Sequence, residues 1–384
     1  MSEVDFNENE FNTTKVEYVK CPNCGNNLKF NPEKQNLYCE YCDSVIEFEK
    51  NSNYQELNLN NAIGDHQTWD TTAKMYYCEN CNAKVVLAKS ETAGLCPFCG
   101  TAHVVSLDEL PGVKPNVVVP FSVSLDGATD SLKKWAKKKP FAPTKFKKKI
   151  SPQEIKGVYM PCYTFDSNTY STYDGRIGYR RTRTVGSGKN RRTETYIEWR
   201  HISGVFQHFF DDITISASQG FTQKDLKSTG GYSADKNMVY DDEYLLGYVA
   251  YAGDKPLEPC WDEAKDVIDS QLRGLILSQY NHDVVSYLNV STTHQNVTYK
   301  YVMVPIYVGN YKYRKKVYRF MINGTTAKTT GKAPVSPLRV IGTVLFCIAV
   351  AIGLYFVIKY SDDSSSASAF IQNATNLLVD TIRV

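Results

Sequence analysis

The chain lacks the short motifs that usually mark a catalytic site. Across 384 residues there is no His-Glu-x-x-His pair, no nucleophile elbow and no phosphate loop. The nearest fragment, Gly186-Ser-Gly-Lys, lacks the required upstream glycine and falls in a hairpin turn rather than between a strand and a helix. Six histidines, at 66, 103, 201, 208, 282 and 294, are scattered and form no ligand motif. Asp211-Asp212 reads as an acidic turn rather than a metal pair. The start, MSEVDFNENEF, has neither a basic region nor an apolar stretch, so no signal peptide is expected. Net charge is small, +3, with no strong overall excess of either sign. With no catalytic constellation to find, the chain is expected not to be an enzyme.

Cysteine, in contrast, is plentiful and patterned. Eight of the eleven cysteines form two copies of one arrangement. Cys21-x2-Cys24 is followed after fourteen residues by Cys39-x2-Cys42, and Cys78-x2-Cys81 after fourteen by Cys96-x2-Cys99. Each pair on a tight turn places two sulfurs on one side of an ion, and a second pair closes a tetrahedron, so the spacing predicts two structural four-thiolate Zn2+ sites. Cys21-Pro-Asn-Cys24-Gly25 and Cys96-Pro-Phe-Cys99-Gly100 add the turn chemistry. Proline presets the turn, and glycine accepts a positive φ. Each half holds few apolar residues, Leu28, Phe30 and Leu37 in one and Val85, Val86, Leu87 and Leu95 in the other, and so needs a staple. Zinc supplies about 10–16 kcal/mol of apparent folding free energy at pH 7. Disulfides would require an oxidising compartment. A redox site would be one Cys-x2-Cys near a βαβ pattern rather than two matched quartets. Cys162, Cys260 and Cys347 stand alone and are expected to be buried apolar residues.

One long uncharged run lies late in the chain. Val340 to Ile358 is nineteen residues without a charge, enough to cross a hydrocarbon core of about 30 Å. Arg339 and Lys359 flank it, and Tyr355 and Tyr360 sit where an interfacial aromatic belt would. Lys315, Lys316, Arg319, Lys328, Lys332 and Arg339 precede it, whereas Lys359 is followed by Asp362 and Asp363. The positive-inside rule then places the bulk in the cytoplasm of a single-pass membrane protein, with the short tail outside. A reducing cytoplasm agrees with thiolate zinc.

The remaining pattern predicts an α+β protein: two N-terminal zinc ribbons, a mostly antiparallel β-rich domain with a few helices, and one C-terminal transmembrane helix. The expected boundaries are a disordered acidic N-terminus over 1–17, ribbons over 18–48 and 73–107 joined by a linker over 49–72, a cytoplasmic domain over 115–332, the membrane helix over 340–358 and a polar tail over 361–384. Ser124–Lys138 reads as a helix with Leu125, Ala128, Leu132 and Trp135 on its apolar face. Ser151-Pro-Gln-Glu154 reads as a capping box opening a short helix. A long hairpin is expected about Gly186–Asn190, a second helix over Trp261–Tyr280, and a further hairpin over Val297–Ile322 turned at Gly309-Asn310. Another turn at Asn323-Gly324 leads to a final strand.

Three basic groups stand out. Lys133–Lys149 holds nine lysines and no acid, with Trp135, Phe141 and Phe146 between them. The hairpin carries Arg176, Arg180, Arg181, Arg183, Lys189, Arg191 and Arg192, and Lys312–Arg319 lies shortly before the apolar run. Such groups are most often solvated faces, or pair with acids, here such as Asp211, Asp212, Asp241 and Asp242. They also suit anionic lipid, or single-stranded nucleic acid where aromatics intervene. A tethered domain meets lipid more often than nucleic acid, which ranks lipid through Lys133–Lys149 above the nucleic-acid alternative.

Several blocks occurring in order, VVPFSVSLDGATDSLKKWAKKKPFAPTKFKKK, EIKGVYMPCYTFDSNTYSTYDG and MVPIYVGNYKYRKKVYRFMINGTTAKTTGK, resemble a bacterial family of membrane-anchored TFIIB-type zinc-ribbon proteins found in low-GC Gram-positive bacteria and their phages. With the ribbons, the resemblance covers about residues 20–358. Members often carry a primosomal, PriA-like label, which this chain does not support because it has no helicase core. Relatives encoded beside SPFH-domain and phage-shock-A-like proteins imply those as cytoplasmic partners. The resemblance therefore implies a scaffold at the bilayer; the alternative is a nucleic-acid-binding ribbon protein of replication or transcription.

Overall fold

The computed structural model describes residues 20–62, 74–78, 84–87, 104–107, 115–149, 155–251, 253, 255–313 and 316–360. An N-terminal module carries β1 (Leu28–Asn31), β2 (Asn36–Cys39) and β3 (Val45–Ile46) in a small antiparallel sheet. Four short strands follow: β4 (Leu57–Asn58), β5 (Lys74–Cys78), β6 (Lys84–Leu87) and β7 (Val104–Leu107). After β8 (Val117–Val118) come helices α1 (Leu125–Lys137) and α2 (Thr144–Lys149), then two long strands, β9 (Ile155–Val185) and β10 (Arg192–Ser216). The chain continues through α3 (Gln223–Ser228), β11 (Met238–Val239), β12 (Val249–Tyr251) and α4 (Leu257–Ser278). The last described elements are β13 (Val284–Tyr313), β14 (Lys316–Asn323), β15 (Thr329–Gly331) and α5 (Pro337–Tyr360). The architecture is α+β, mostly antiparallel, with an apolar helix as its last described element.

All strands after β3 share one twelve-stranded sheet whose spine is β9 beside β13. At about 3.3 Å per residue, the 31 residues of β9 could reach about 100 Å if straight. Their sequence divides them. Val158 to Ser167, mostly apolar, is buried on both faces. From Asn168 outward burial alternates: Thr169, Ser171, Tyr173, Gly175 and Ile177 face inward, and Asn168, Tyr170, Thr172, Asp174 and Arg176 face out. The break coincides with two β-bulges, one in β10 between Phe210 and Ile213 and one in β13 between Gln295 and Thr298. Asp212 and Asn296 take positive φ there, 53° and 51°. Bulges on both neighbours at one level bend and twist the sheet, so the outer half of β9, β10 and β13 forms a three-stranded blade. Helix α4 covers one face of it through Ile276, against Tyr173, Ile177, Ile202 and Leu288.

Several expectations hold. The long hairpin turns after Val185, α4 spans its predicted region with Cys260, Ala264, Ile268, Leu272 and Ile276 buried, and a final strand follows the turn after Asn323. Leu275 is only partly buried against this core. Three expectations shift: the turn at Gly309-Asn310, the apolar face of α1 and the burial of Cys347. Gly309 and Asn310 do not turn; they pair with Phe320 and Arg319 inside the β13–β14 ladder, which reverses between Tyr313 and Lys316. Cross-strand pairing of the flanking aromatic residues outweighs the turn preference of Gly-Asn. The buried stripe of α1 is Ala128, Thr129, Leu132 and Ala136; Leu125 is exposed and Trp135 half-buried. Small residues there let the helix lie close to the sheet. Ser151–Glu154 lies outside the described residues, and strand begins at Ile155. Cys162 and Cys260 are buried as expected, but Cys347 lies on the exposed surface of α5.

The segment read as a linker contributes β4, which pairs with Thr298 and Tyr299 of β13. The module ahead of it is docked as well. Phe30 donates its backbone N–H to Leu246 at 3.0 Å, and Gln35 Nε2 donates to the Phe121 carbonyl at 2.7 Å. Phe30, Phe48 and Tyr244 meet edge-to-face at 5.1–6.2 Å. The module and the main sheet thus share one hydrophobic core.

Candidate metal centre and charged clusters

Two matching turns build the cysteine site. Cys21 N–H donates to Asn26 and Gly25 N–H to Cys21; likewise Cys39 N–H donates to Ser44 and Asp43 N–H to Cys39. Each turn needs a left-handed residue after its second cysteine. Gly25 supplies it in one, with φ 72°, and Asp43 in the other, with φ 56°. Aspartate tolerates that region better than most side chains, and the sequence pattern alone passes over it. The four sulfurs of Cys21, Cys24, Cys39 and Cys42 lie within 4.8 Å of one another. Across the turns, Cys21 and Cys42 approach to 3.4 Å and Cys24 and Cys39 to 3.5 Å. Zn–S bonds of about 2.3 Å imply S···S edges of about 3.8 Å, so modest expansion admits a tetrahedral ion. Without an ion the thiols titrate unequally. For Cys21, burial raises the pKa, but hydrogen bonds from the backbone of Cys24 and Asn23 and from neighbouring thiols outweigh it and bring it to about 6. For Cys24, the Asn26 backbone N–H lowers it, but burial and the other three sulfurs push it up to about 12. Four sulfurs so close cannot all ionise alone; a cation makes that possible. Donor type, turn geometry and spacing all fit a metal.

Of the second quartet, Cys78 ends β5 and pairs with Val104 of β7, while Cys81, Cys96 and Cys99 lie outside the described residues. The strands around it extend the large sheet, because β6 pairs with β12.

A second cluster sits at the double bulge. Lys300, 1% exposed, places Nζ 2.9 Å from Glu56, 3.4 Å from Asp166 and 2.8 Å from Asp212. Asp166 also accepts the Asp212 backbone N–H at 2.7 Å. Asp166, Asp211 and Asp212 are close enough to hold a cation, but the Lys300 ammonium already bonds two of them. Three carboxylates face one ammonium. Burial drives Asp166 up to about 6, with Glu56 adding to the rise. Burial also raises Glu56, but hydrogen bonds from Lys300, Asp166 and Thr298 outweigh it and hold that carboxyl below its usual range. Burial disfavours the Lys300 charge, yet Asp212 and Glu56 more than reverse this and raise its pKa. The only sequence signal was a lysine inside the apolar run Tyr299–Val304, where an unpaired charge would be costly.

The basic groups differ. On the β9–β10 hairpin, Arg181 meets Glu198 at 2.9 Å, Arg183 and Arg192 meet Glu194 at 3.4 and 2.9 Å, and Arg200 meets Glu198 at 3.1 Å. The partners are acids of the same hairpin. Asp212 is engaged by Lys300, Asp241 caps the turn at Glu243, and Asp242 accepts from Tyr240. His201 pairs with Asp174 at 3.1 Å, and His208 stacks near Phe206.

Helix α5 is the one described helix long and apolar enough to cross a membrane, and none of its residues over Pro337–Phe356 is buried. Its root is fastened. Arg339 Nη1 donates to the carbonyls of Pro140 at 3.1 Å and Ala142 at 2.7 Å, and Nη2 to Thr144 Oγ1 at 2.7 Å. Ser336 N–H donates to Phe141 at 2.8 Å. In the sequence Arg339 counted only as a flanking charge.

No protein-family model matches the chain. No solved structure matches it either. A curated protein, the uncharacterized protein YdjG of Bacillus subtilis (strain 168), is 29% identical over 330 residues, covering 83% of this chain and 90% of its own length.

Proposed function

We propose that this chain is a single-pass membrane scaffold that presents a zinc-stapled, β-rich body to cytoplasmic partners. The observation that carries the reading is α5: an apolar helix with no residue buried over Pro337–Phe356, hydrogen-bonded at its root to a folded body. An exposed apolar surface of that length requires cover, and lipid provides it. Zinc is the proposed ion because it favours a closed four-thiolate tetrahedron and because thiolates persist in a reducing compartment. The resemblance to membrane-anchored zinc-ribbon proteins supports both points. The second quartet would hold a second zinc.

The partner-facing element is the blade, whose outer face exposes the hydrophobic residues Tyr170, Val205, Phe209 and Tyr287 among polar ones. SPFH-domain and phage-shock-A-like proteins are the partners to try. The test captures the full chain from membranes and blots for those proteins beside a version with Tyr170, Val205 and Phe209 changed to Glu, Lys and Glu. Capture by the native face and loss with the altered face supports scaffolding. Equal recovery, or none, removes the blade as the docking element. Topology has its own check: a cysteine introduced just after Ser361 should react with an impermeant thiol reagent from outside the cell.

A further inference from the structure

The hydrogen bonds of Arg339 and Ser336 set the depth of the α1–α2 connection. Phe141 is bonded to Ser336, one residue before α5 begins, and the guanidinium spans Pro140, Ala142 and Thr144. The uncharged run starts at Val340, only about 6 Å further along the helix at 1.5 Å per residue. The headgroup layer is about 5–8 Å thick on each side of the hydrocarbon. If α5 spans a bilayer, the α1–α2 connection therefore lies at headgroup level.

The residues there suit that position. Lys134, Lys137 and Lys138 lie at the end of α1 and Lys145 in α2, all exposed. Among the described residues of this segment only Lys133 pairs with an acid, Asp130, at 3.2 Å. The apolar side of α1 is turned into the core, so its lysines face away from the body. Phe141 at the clamp is 38% exposed, and Val335 and Leu338 beside it are 57% and 82% exposed. Exposed apolar residues in one segment with exposed lysines are the composition of an interfacial anchor. Arg339 itself is occupied by carbonyls; its part is to hold this segment against the root of the span.

We propose that the α1–α2 hairpin is a foot that binds anionic phospholipid headgroups. Lys134, Lys137, Lys138 and Lys145 contact the phosphates of the leaflet that α5 enters, Phe141 seats at the interface, and Arg339 positions the foot. The proposal rests on the membrane-anchor reading. It adds a lipid preference and a fixed stance of the body on the bilayer. Each contacting lysine should contribute about fivefold to the preference for anionic lipid.

The test reconstitutes the full chain in nanodiscs of phosphatidylcholine alone or with phosphatidylglycerol, and follows acetylation of each lysine by mass spectrometry. In anionic discs Lys134, Lys137, Lys138 and Lys145 should react several-fold more slowly than in neutral discs, and high salt should remove the difference. Lys265, paired with Asp262 on α4, serves as the internal control and should not change. Arg339→Ala, which leaves every lysine in place, should narrow the difference. Equal acetylation in both discs overturns the foot while leaving the anchor standing. Protection by single-stranded DNA in neutral discs, without an effect of anionic lipid, overturns it in favour of nucleic acid. Failure of the chain to enter either disc overturns the anchor reading, and the foot with it.

Discussion

The lysine hairpin α1–α2 and the arginine hairpin β9–β10 look alike as charge patterns, and the fold separates them. In the β-hairpin the antiparallel register sets Arg183 opposite Glu194, and Arg181 diagonal to Glu198. Aromatic rings lie under the guanidiniums: Trp199 under Arg176, Tyr196 under Arg183 and Tyr179 under Arg200. Planar guanidinium groups satisfy both contacts at once. These arginines are internal fittings of the blade. Among the described residues of the lysine hairpin only Lys133 has an acid partner, Asp130, and the exposed lysines of α1 point away from a core that has already taken its apolar side. The difference teaches that a basic run is informative only once its neighbours are known. Charge that finds a partner inside the fold is structural, and charge that does not is available to something else.

Four changes probe that distinction, in falling order of expected effect. The largest concerns the four clustered cysteines, which a bound cation would let ionise together. Removing metal with a chelator, or making Cys39→Ser, should unfold the N-terminal module, with the metal's apparent contribution at pH 7 about 10–16 kcal/mol. Metal analysis should find two zinc ions per native chain prepared under reducing conditions. A value near zero would contradict both sites.

Next is Lys300→Met. It leaves Asp166, Asp212 and Glu56 without their ammonium, and should cost about 3–5 kcal/mol by urea denaturation. A loss as small as that of a surface pair would mean that water reaches the double bulge.

The third change is Asp166→Asn, read as a pH profile. The folded-state pKa of Asp166 is raised to about 6. Its protonated form therefore favours folding, a contribution fully present below its ordinary value of about 4 and lost as pH rises through about 6. Glu56 acts in the opposite sense, because its lowered pKa favours folding above its ordinary range and that gain is lost on acidification. Native stability relative to Asp166→Asn should therefore fall between about pH 4 and 6. A flat difference would mean that Asp166 stays ionised beside Lys300.

The smallest effect is expected from Glu198→Gln. This carboxylate is exposed, and its loss should barely move the melting temperature. Its consequence is electrostatic: Arg181 and Arg200 lose their partner, and the hairpin should gain salt-sensitive affinity for anionic vesicles. If the native hairpin already binds as strongly as the variant, the contrast between the two basic regions fails.

Much of this was legible in the sequence because it rests on local chemistry. Cys-x2-Cys turns, the nineteen-residue uncharged run and the stripe of Ala264, Ile268 and Leu272 each carry their own geometry. What the sequence hid is long-range. Glu56 and Lys300 are 244 residues apart and Arg339 and Ala142 are 197 apart; no periodicity connects such pairs. The bulges hid for another reason. Asp212 and Asn296 take positive φ without a glycine to mark them, and β13 begins at Val284, well before the Val297 at which a strand was expected. The turn at Gly309-Asn310 was misplaced because a strong local preference gave way to a ladder whose length only the partner strand decides.

The central claim is that α5 anchors the body in a bilayer, and alkaline extraction of the native membrane fraction tests it most directly. The full chain should stay in the pellet with integral membrane proteins, and a version ending before Pro337 should be recovered in the supernatant. Release of the full chain at high pH would contradict the account.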